Sequence, residues 1–521
     1  MTNFGSVSIR EKVFYGTGNL GYSLAVQTQQ LFLMFFGTVT LGVSPTLMGL
    51  VLSIGIFWDA VTDPIIGYLS DRQKSYHFGK RHGYIAAGFL GMAFFNLLIW
   101  TVPGFSFVTS QWQAFMILLF CKLGFETFNT MIATPYTALG TELTEDYDEK
   151  TNIQAYKTAF FLLGFVFPTI LIATILDPLN HSLQAYTIMA IVISIFAILV
   201  GTIFFLGTYS TLPRLRKRIE VMSGEVLIKP EKKSLRKKMK RLVEKLNYYE
   251  KLKTMKERKA SQDDRETPLD IFKAFFTTIR RKNYKSLVFA YATSLISAAF
   301  ISILGVHIFN FSFGFTGTQQ AASLGALVVG TIISQPFWTK SSRVKGKKNT
   351  IIKAISTALI AILFFTLFFA LRDVFAHVFY PVVFAMFMAG FGTGALYSIP
   401  ISMFGDLMIV EAAETKKDKT GRYSGFMTLA QKLANASAAL IIGISLDIIG
   451  FDATRADTGD IDQVSTFVES GIGYIAIFGI LASLITSMII YSKYSLTKEE
   501  VKKAEKMIED SDIQVDLPGL E

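Results

Sequence analysis

Trp58-Asp59-Ala60-Val61-Thr62-Asp63-Pro64 lies inside an otherwise apolar stretch, Thr46 to Leu69. A membrane-crossing helix needs ~20 mostly apolar residues, so this stretch is read as a span and its two carboxylates fall within the membrane. An acid at that depth is costly and marks a functional site by default. Helical geometry places positions 59, 62 and 63 on one face, with the acids about one turn apart. Two carboxylates and a hydroxyl converging in a low-dielectric site suit a small cation such as Na⁺ or H⁺. The structural alternative is that each acid pairs with a base from another helix, and Lys432, inside a later apolar run, is the natural partner.

Eleven further runs resemble the first. The twelve cover 13–38, 45–70, 83–103, 112–137, 153–176, 184–208, 286–311, 318–339, 351–371, 379–404, 424–447 and 471–492 of the 521 residues, 51% of which are hydrophobic. That content excludes an ordinary soluble enzyme. The first run is rich in Gly and Gln and lacks a small-residue cleavage pattern, so it is expected to be a span and not a signal peptide. Cys121 is the one cysteine, which excludes an intrachain disulfide framework. The sequence shows no phosphate-binding Gly-rich loop, nucleophile elbow or metal-ligand cluster, and no enzymatic activity is expected.

The formal charge of +11 is concentrated in one place: 18 Lys or Arg against 6 Asp or Glu between Arg214 and Lys259. This argues for a loop on the cytoplasmic membrane face and against nucleic acid as a partner. The connections at Asp71–Arg81 and Lys340–Lys348 are also basic, whereas 37–44, 102–111 and 310–319 carry no charge. Loop lysines and arginines set orientation, so both termini are expected in the cytoplasm and the chain in the plasma membrane. Two groups of six spans flank the basic linker, and Gly79-Lys80-Arg81 in one group matches Gly346-Lys347-Lys348 in the other. Such a repeat predicts an all-α major facilitator fold with twelve transmembrane helices in two six-helix halves and substrate between them. The expected units are 1–209, the linker 210–284, 285–493 and a cytoplasmic tail 494–521. Within the linker, Leu235, Met239, Leu242, Leu246 and Tyr249 predict an amphipathic helix, either on anionic lipid or bridging the halves in solvent. Thr497 and Glu500 predict a capping box opening a tail helix.

Further polar residues lie in the spans. Lys122 and Glu126, four apart, are placed to neutralise one another, and Thr130 follows one turn later. Span one carries Asn19, Tyr22, Ser23, Gln27, Gln29 and Gln30, too polar a set to face lipid alone. Tyr397 and Ser398 in span ten, and Gln431 and Asn435 in span eleven, are weaker candidates. His307 reads as a packed polar residue or a substrate contact, and Gly390, Gly392 and Gly394 as packing glycines.

Taken together, Tyr15-Gly16-Thr17-Gly18-Asn19-Leu20-Gly21, the 58–64 motif, Asp71-Arg72 with Gly79-Lys80-Arg81, Pro135-Tyr136-Thr137-Ala138-Leu139 with Glu142, and Thr420-Gly421-Arg422 with Gln431-Lys432-Leu433 resemble the glycoside–pentoside–hexuronide:cation symporters. The resemblance implies a coupling ion, Na⁺ or H⁺, at Asp59, Thr62, Asp63 and Thr130, with no other cofactor. It implies gating by Asp71, Arg72, Lys80 and Arg81. In the family's galactoside carriers two aspartates grip the sugar, and here Ser23 and Ala133 stand at those positions. Phe125-Glu126-Thr127 and the Trp-Asp-Ala-x-Thr-Asp-Pro form are also similar to the sodium-dependent lysophosphatidylcholine symporters. The expected function is therefore cation-coupled symport of a sugar or a lysophospholipid by a monomer surrounded by membrane lipid. Tyr22, Ser23, Gln27, Glu126, Ala133, Tyr397 and Lys432 are the candidate substrate contacts. The competing expectation is a non-transporting receptor or lipid-binding scaffold on the same fold.

Overall fold

The computed structural model describes residues 7–73, 78–106, 108–144, 147–212, 281–375, 377–415, 420–451 and 465–509. Most of the linker, including its expected amphipathic helix, lies outside them, as do residues 452–464 of the connection between spans eleven and twelve.

The first half holds α1 (Ile9–Phe35), α2 (Pro45–Arg72), α3 (His82–Thr101), α4 (Gln111–Glu142), α5 (Tyr147–Leu171) and α6 (Leu183–Tyr209). The second holds α7 (Lys282–His307), α8 (Gly317–Lys345), α9 (Lys347–Ala370), α10 (Phe379–Thr415), α11 (Thr420–Ile448) and α12 (Thr466–Ser492), followed by a short α13 (Lys498–Glu509). Backbone donors at helix starts need partners, and polar caps provide them: Ser8 with Glu11 on α1, Ser110 on α4, Ser182 on α6, and Thr316 with Gln319 on α8. Eleven of these helices are long and apolar enough by composition to cross a membrane. The polar residues of α1 keep it out of that set, because α1 is buried among α5, α6 and α7. An interior helix has no lipid to match.

The two halves pack alike. The first half pairs α1 with α5 and α6, α2 with α4, and α3 with α4 and α6. The second pairs α7 with α11 and α12, α8 with α10, and α9 with α10 and α12. Each pairing is the other shifted by six helices. Local backbone repeats as well: α1 and α7 both end in a π-helical turn, at Phe36–Thr40 and Ile308–Ser312. The Gly-basic-basic turns place Gly79 at φ +62° and Gly346 at φ +81°, backbone that a side chain would strain. Between halves, α2 lies along α11, α5 along α8 and α1 along α7.

One group of polar contacts joining the halves lies at the end away from the basic loops. There Thr38 Oγ1 and His307 Nε2 are 3.1 Å apart, and the Asp447 carboxylate accepts from Ser44 Oγ at 2.8 Å. In α13, Glu500 accepts from Thr497 N at 2.7 Å while its own N–H donates to Thr497 Oγ1 at 3.3 Å, the capping box expected there. Val501, Ala504 and Ile508 are buried, and the helix docks on α10.

Candidate cation site and substrate cavity

α2 carries the acid pair to the middle of the α2/α11 seam, with α4 alongside. Lys432 of α11 reaches both: its Nζ is 2.7 Å from Asp59 Oδ2 and 2.6 Å from Asp63 Oδ2. The remaining carboxylate oxygens are held by α4. Thr130 Oγ1 donates to Asp59 Oδ1 at 2.7 Å, and Thr134 Oγ1 donates to Asp63 Oδ1 at 3.2 Å. Thr62 is one step removed, its hydroxyl bonding Trp58 O at 3.1 Å and Thr130 Oγ1 at 3.0 Å. The 59/62/63 face is thus split, with the acids toward α11 and Thr62 buried against α4. Thr134 went unnoticed in the sequence because it sits one turn beyond Thr130, next to Pro135. Among the described residues no three His, Cys, Asp or Glu side chains gather as a transition-metal site. Carboxylate and hydroxyl oxygens are instead the donors that a hard cation takes.

A second buried network lies beneath the first. Lys122 Nζ is 2.6 Å from Glu126 Oε1 and donates to Gln29 Oε1 at 2.8 Å, and Asn129 Nδ2 donates to Glu126 Oε2 at 2.9 Å. The Lys122 stem lies against Gly55, where a Cβ would meet it at 2.7 Å. Breaking such a buried pair costs ~3–5 kcal/mol, because it leaves one charge uncompensated. Glu126 is therefore tied into α4 and α1 and does not line the cavity described next.

Along the other seam, α5 and α8 leave a cavity of about 920 Å³ that α1, α7 and α10 complete. Its wall is mainly apolar (Leu31, Phe161, Phe165, Ile301, Leu324 and Val328), with Gln27, Thr331, Gln335 and Tyr397 as polar points. Gln154, Thr158 and Phe161 also line an adjoining cleft of about 340 Å³ that holds Asn19, Tyr22, Ala133 and Lys157. Lys157 donates to Thr137 Oγ1 at 3.0 Å and lies 5.4 Å from the Tyr136 ring centroid. It was missed in sequence because a lysine near the start of a span reads as an orientation signal. Ser23 is elsewhere: it is fully buried and donates to Leu20 O at 3.2 Å. A Cβ at Gly164 would collide with its hydroxyl, which places Ser23 in the α1/α5 packing contact.

Of the expected gating residues, Arg81 is the hub. It donates to Glu142 Oε1 at 2.7 Å and to Ser70 Oγ at 2.7 Å, and pairs with Asp71. The Arg72 guanidinium lies 4.1 Å from the Tyr68 ring centroid. These contacts stay within the first half. In the second half, Lys347 of the matching loop pairs with Asp406 of α10 at 2.7 Å.

The profile of a family described as MFS/sugar transport protein covers residues 14–249 and 245–498. The chain belongs to this family. An uncharacterized symporter, sll1374, of Synechocystis sp. (strain PCC 6803) is 26% identical over 475 residues, 85% of this chain and 86% of that protein. The sodium-dependent lysophosphatidylcholine symporter 1 of Xenopus tropicalis is 22% identical over 99% of this chain and 93% of its own. Among solved structures, a bacterial homologue of the iron transporter ferroportin in an inward-facing state superposes with TM-score 0.59 at 13% identity, over 94% of this chain and 100% of that one. A bacterial homologue of the lysosomal transporter Spinster, also inward-facing, gives 0.55 at 12% identity, over 97% and 98%. The chain is thus a multi-pass membrane protein and a secondary transporter of a small-molecule or lipid substrate. The scaffold alternative is not favoured, since the matched family is described as a transport protein and the relatives named here are symporters.

Proposed function

We propose that this transporter couples a monovalent cation, Na⁺ in the first instance, to an amphiphile with a phosphate-bearing head group and an apolar tail. The observation that carries the reading is the junction of two spaces: a large apolar cavity and a cleft holding Lys157 with hydroxyl and amide neighbours. A tail partitions into the first by burying apolar surface, and a phosphate in the second gains a charge-assisted hydrogen bond. A glycoside has less to hold. Ala133 offers a methyl group to the cleft, and Ser23 faces α5 instead of either space. Lysophosphatidylcholine has the proposed build, and a relative bears its name.

For the cation, Asp59, Asp63 and Lys432 carry one net negative charge between them when all are ionised. Lys432 holds the position of a bound monocation here, so cation entry requires its ammonium to yield at least one carboxylate. Thr130 and Thr134 then keep the two outer oxygens oriented. The basic loops and both termini are assigned to the cytoplasmic face of the plasma membrane, and the carrier works as a monomer, with the open cavity toward the cytoplasm.

Trp58 adjoins Asp59 and donates to Thr127 Oγ1 at 2.9 Å, which makes its fluorescence the reporter. Purified protein is titrated with Na⁺, with and without lysophosphatidylcholine or a panel of glycosides, against a Trp58→Phe control. The expected result is a Na⁺ response sharpened by the lysolipid and absent from Asp63→Asn. Sharpening by a glycoside alone overturns the substrate class, and a response to pH but not Na⁺ changes the ion. Silence to every titrant returns the scaffold reading.

A further inference from the structure

The α2/α11 seam is antiparallel and in strict register. Thr46 meets Asp447, Gly49 meets Gly443, and Asp59 and Asp63 meet Lys432. The glycine pair lets the backbones touch: a Cβ at Gly443 would lie 2.4 Å from Pro45 O and 3.0 Å from Gly49 Cα. At the outer end of this seam the start of α2 has an unusual cap. Ser44 occupies the N-cap position, yet its side chain makes no capping bond within its own helix. The cap is supplied across the halves: Asp447 Oδ2 accepts from Thr46 N at 2.9 Å and from Ser44 Oγ at 2.8 Å. A carboxylate there satisfies an orphan donor and faces the positive end of the helix dipole.

We propose that Asp447 is the outer latch of this seam, a positioning residue that holds α2 in the register where its acid pair meets Lys432. From the latch to the acids each helix runs ~20 Å at 1.5 Å per residue, with the glycine contact between. The latch is therefore the outermost fastening of the same helix pair that carries the cation site. For the carrier to open at that end, α2 must lose the cap that α11 provides, and its first-turn N–H exchanges a carboxylate for water. Release of the cap is thus part of every transport cycle, and its strength sets how far the closed outer end is favoured.

Thiol accessibility of the full-length protein tests this, since the native Cys121 is buried and contributes little background. Thr38→Cys reports on the closed end, where Thr38 is fully buried, and Thr158→Cys reports on the cavity. Asp447→Ala removes both hydrogen bonds and should raise the labelling ratio of position 38 to position 158 by at least about tenfold, the shift that follows from losing even one charge-assisted hydrogen bond in one of two states. Asp447→Asn, which still accepts a hydrogen bond, should raise it less. Gly443→Ala wedges the seam by sterics and should raise it independently. An unchanged ratio in Asp447→Ala overturns the latch, whether Gly443→Ala opens the seam without it or leaves the seam shut as well. Should Asp447→Ala fail to insert and fold, the Asn variant decides by the same ratio.

Discussion

The α2/α11 and α5/α8 seams are the same seam twice, exchanged by the repeat that turns one half into the other, and they have opposite characters. In α2 the acid pair ends at Pro64. Aligned on the helix starts, α8 carries Thr331, Ser334 and Gln335 ahead of Pro336 where α2 carries Asp59, Thr62 and Asp63. The first seam is closed by charge, with Lys432 between two carboxylates and glycine backbones in contact. The second stands open over about 920 Å³ of mostly apolar wall, and the two polar side chains that match Asp59 and Asp63 are bonded to backbone, Gln335 to Gly394 O of α10 and Thr331 to Leu327 O of its own helix. One scaffold has thus divided its labour. On the proposed reading, charge on one seam provides an ion site, and its absence from the other leaves room for an apolar ligand.

The largest effect that would break this division is at the acid pair. Asp63→Asn removes one of the two charges facing Lys432, so the ammonium and the remaining carboxylate neutralise each other. Na⁺ affinity by calorimetry should fall by about 100-fold or more, while lysolipid binding without Na⁺ survives. Loss of both together would mean the seams are one site. A smaller effect is expected across the other seam. Lys157→Gln keeps a donor for Thr137 but removes the charge, and should weaken binding of a phosphate-bearing amphiphile by about tenfold. Its uncharged monoacyl counterpart and Na⁺ should bind as before. Equal weakening of charged and uncharged ligands would show that Lys157 shapes the cleft without reading the head group.

The two seams were also unequally legible. Acids in an apolar run stand out because the membrane penalises them, and helical spacing alone puts Asp59 and Asp63 together. Lys432 was legible as their partner for the same reason. The twelve helices and the repeat followed from apolar run lengths and paired glycine turns. The cavity was not legible, because it is made of ordinary apolar side chains from five helices whose rotation no single helix specifies. Ser23 shows the cost: its polarity suggested a cavity wall, but its hydroxyl is spent on its own helix beside Gly164. Asp447 was missed because an acid near the end of a span reads as a loop residue, and only the packing of α11 on α2 makes it a cap.

The smallest effect tests whether the tail belongs to either seam. α13 packs on α10, which lines the open cavity and not the acid site. Hydrogen bonds from Thr497 hold the Glu500 carboxyl below its usual range. A depressed folded-state value means that the cap's contribution is present above the usual carboxylate pKa of ~4 and is lost as pH falls through the lower folded value. Thr497→Ala removes the reciprocal cap and should loosen α13 by ~1 kcal/mol, seen as faster amide exchange over Lys498–Glu509. Docking through only Val501, Ala504 and Ile508 is shallow enough for that local opening to leave the bundle intact. Na⁺ affinity should not move, since among the described residues α13 docks on α10 and not on the α2/α11 seam. A change in substrate binding with Na⁺ binding unaltered would place the tail in the open seam's account through α10, and sharpen the division between the two. A change in Na⁺ binding would break it, because the charged seam would then be listening to the far side of the second half.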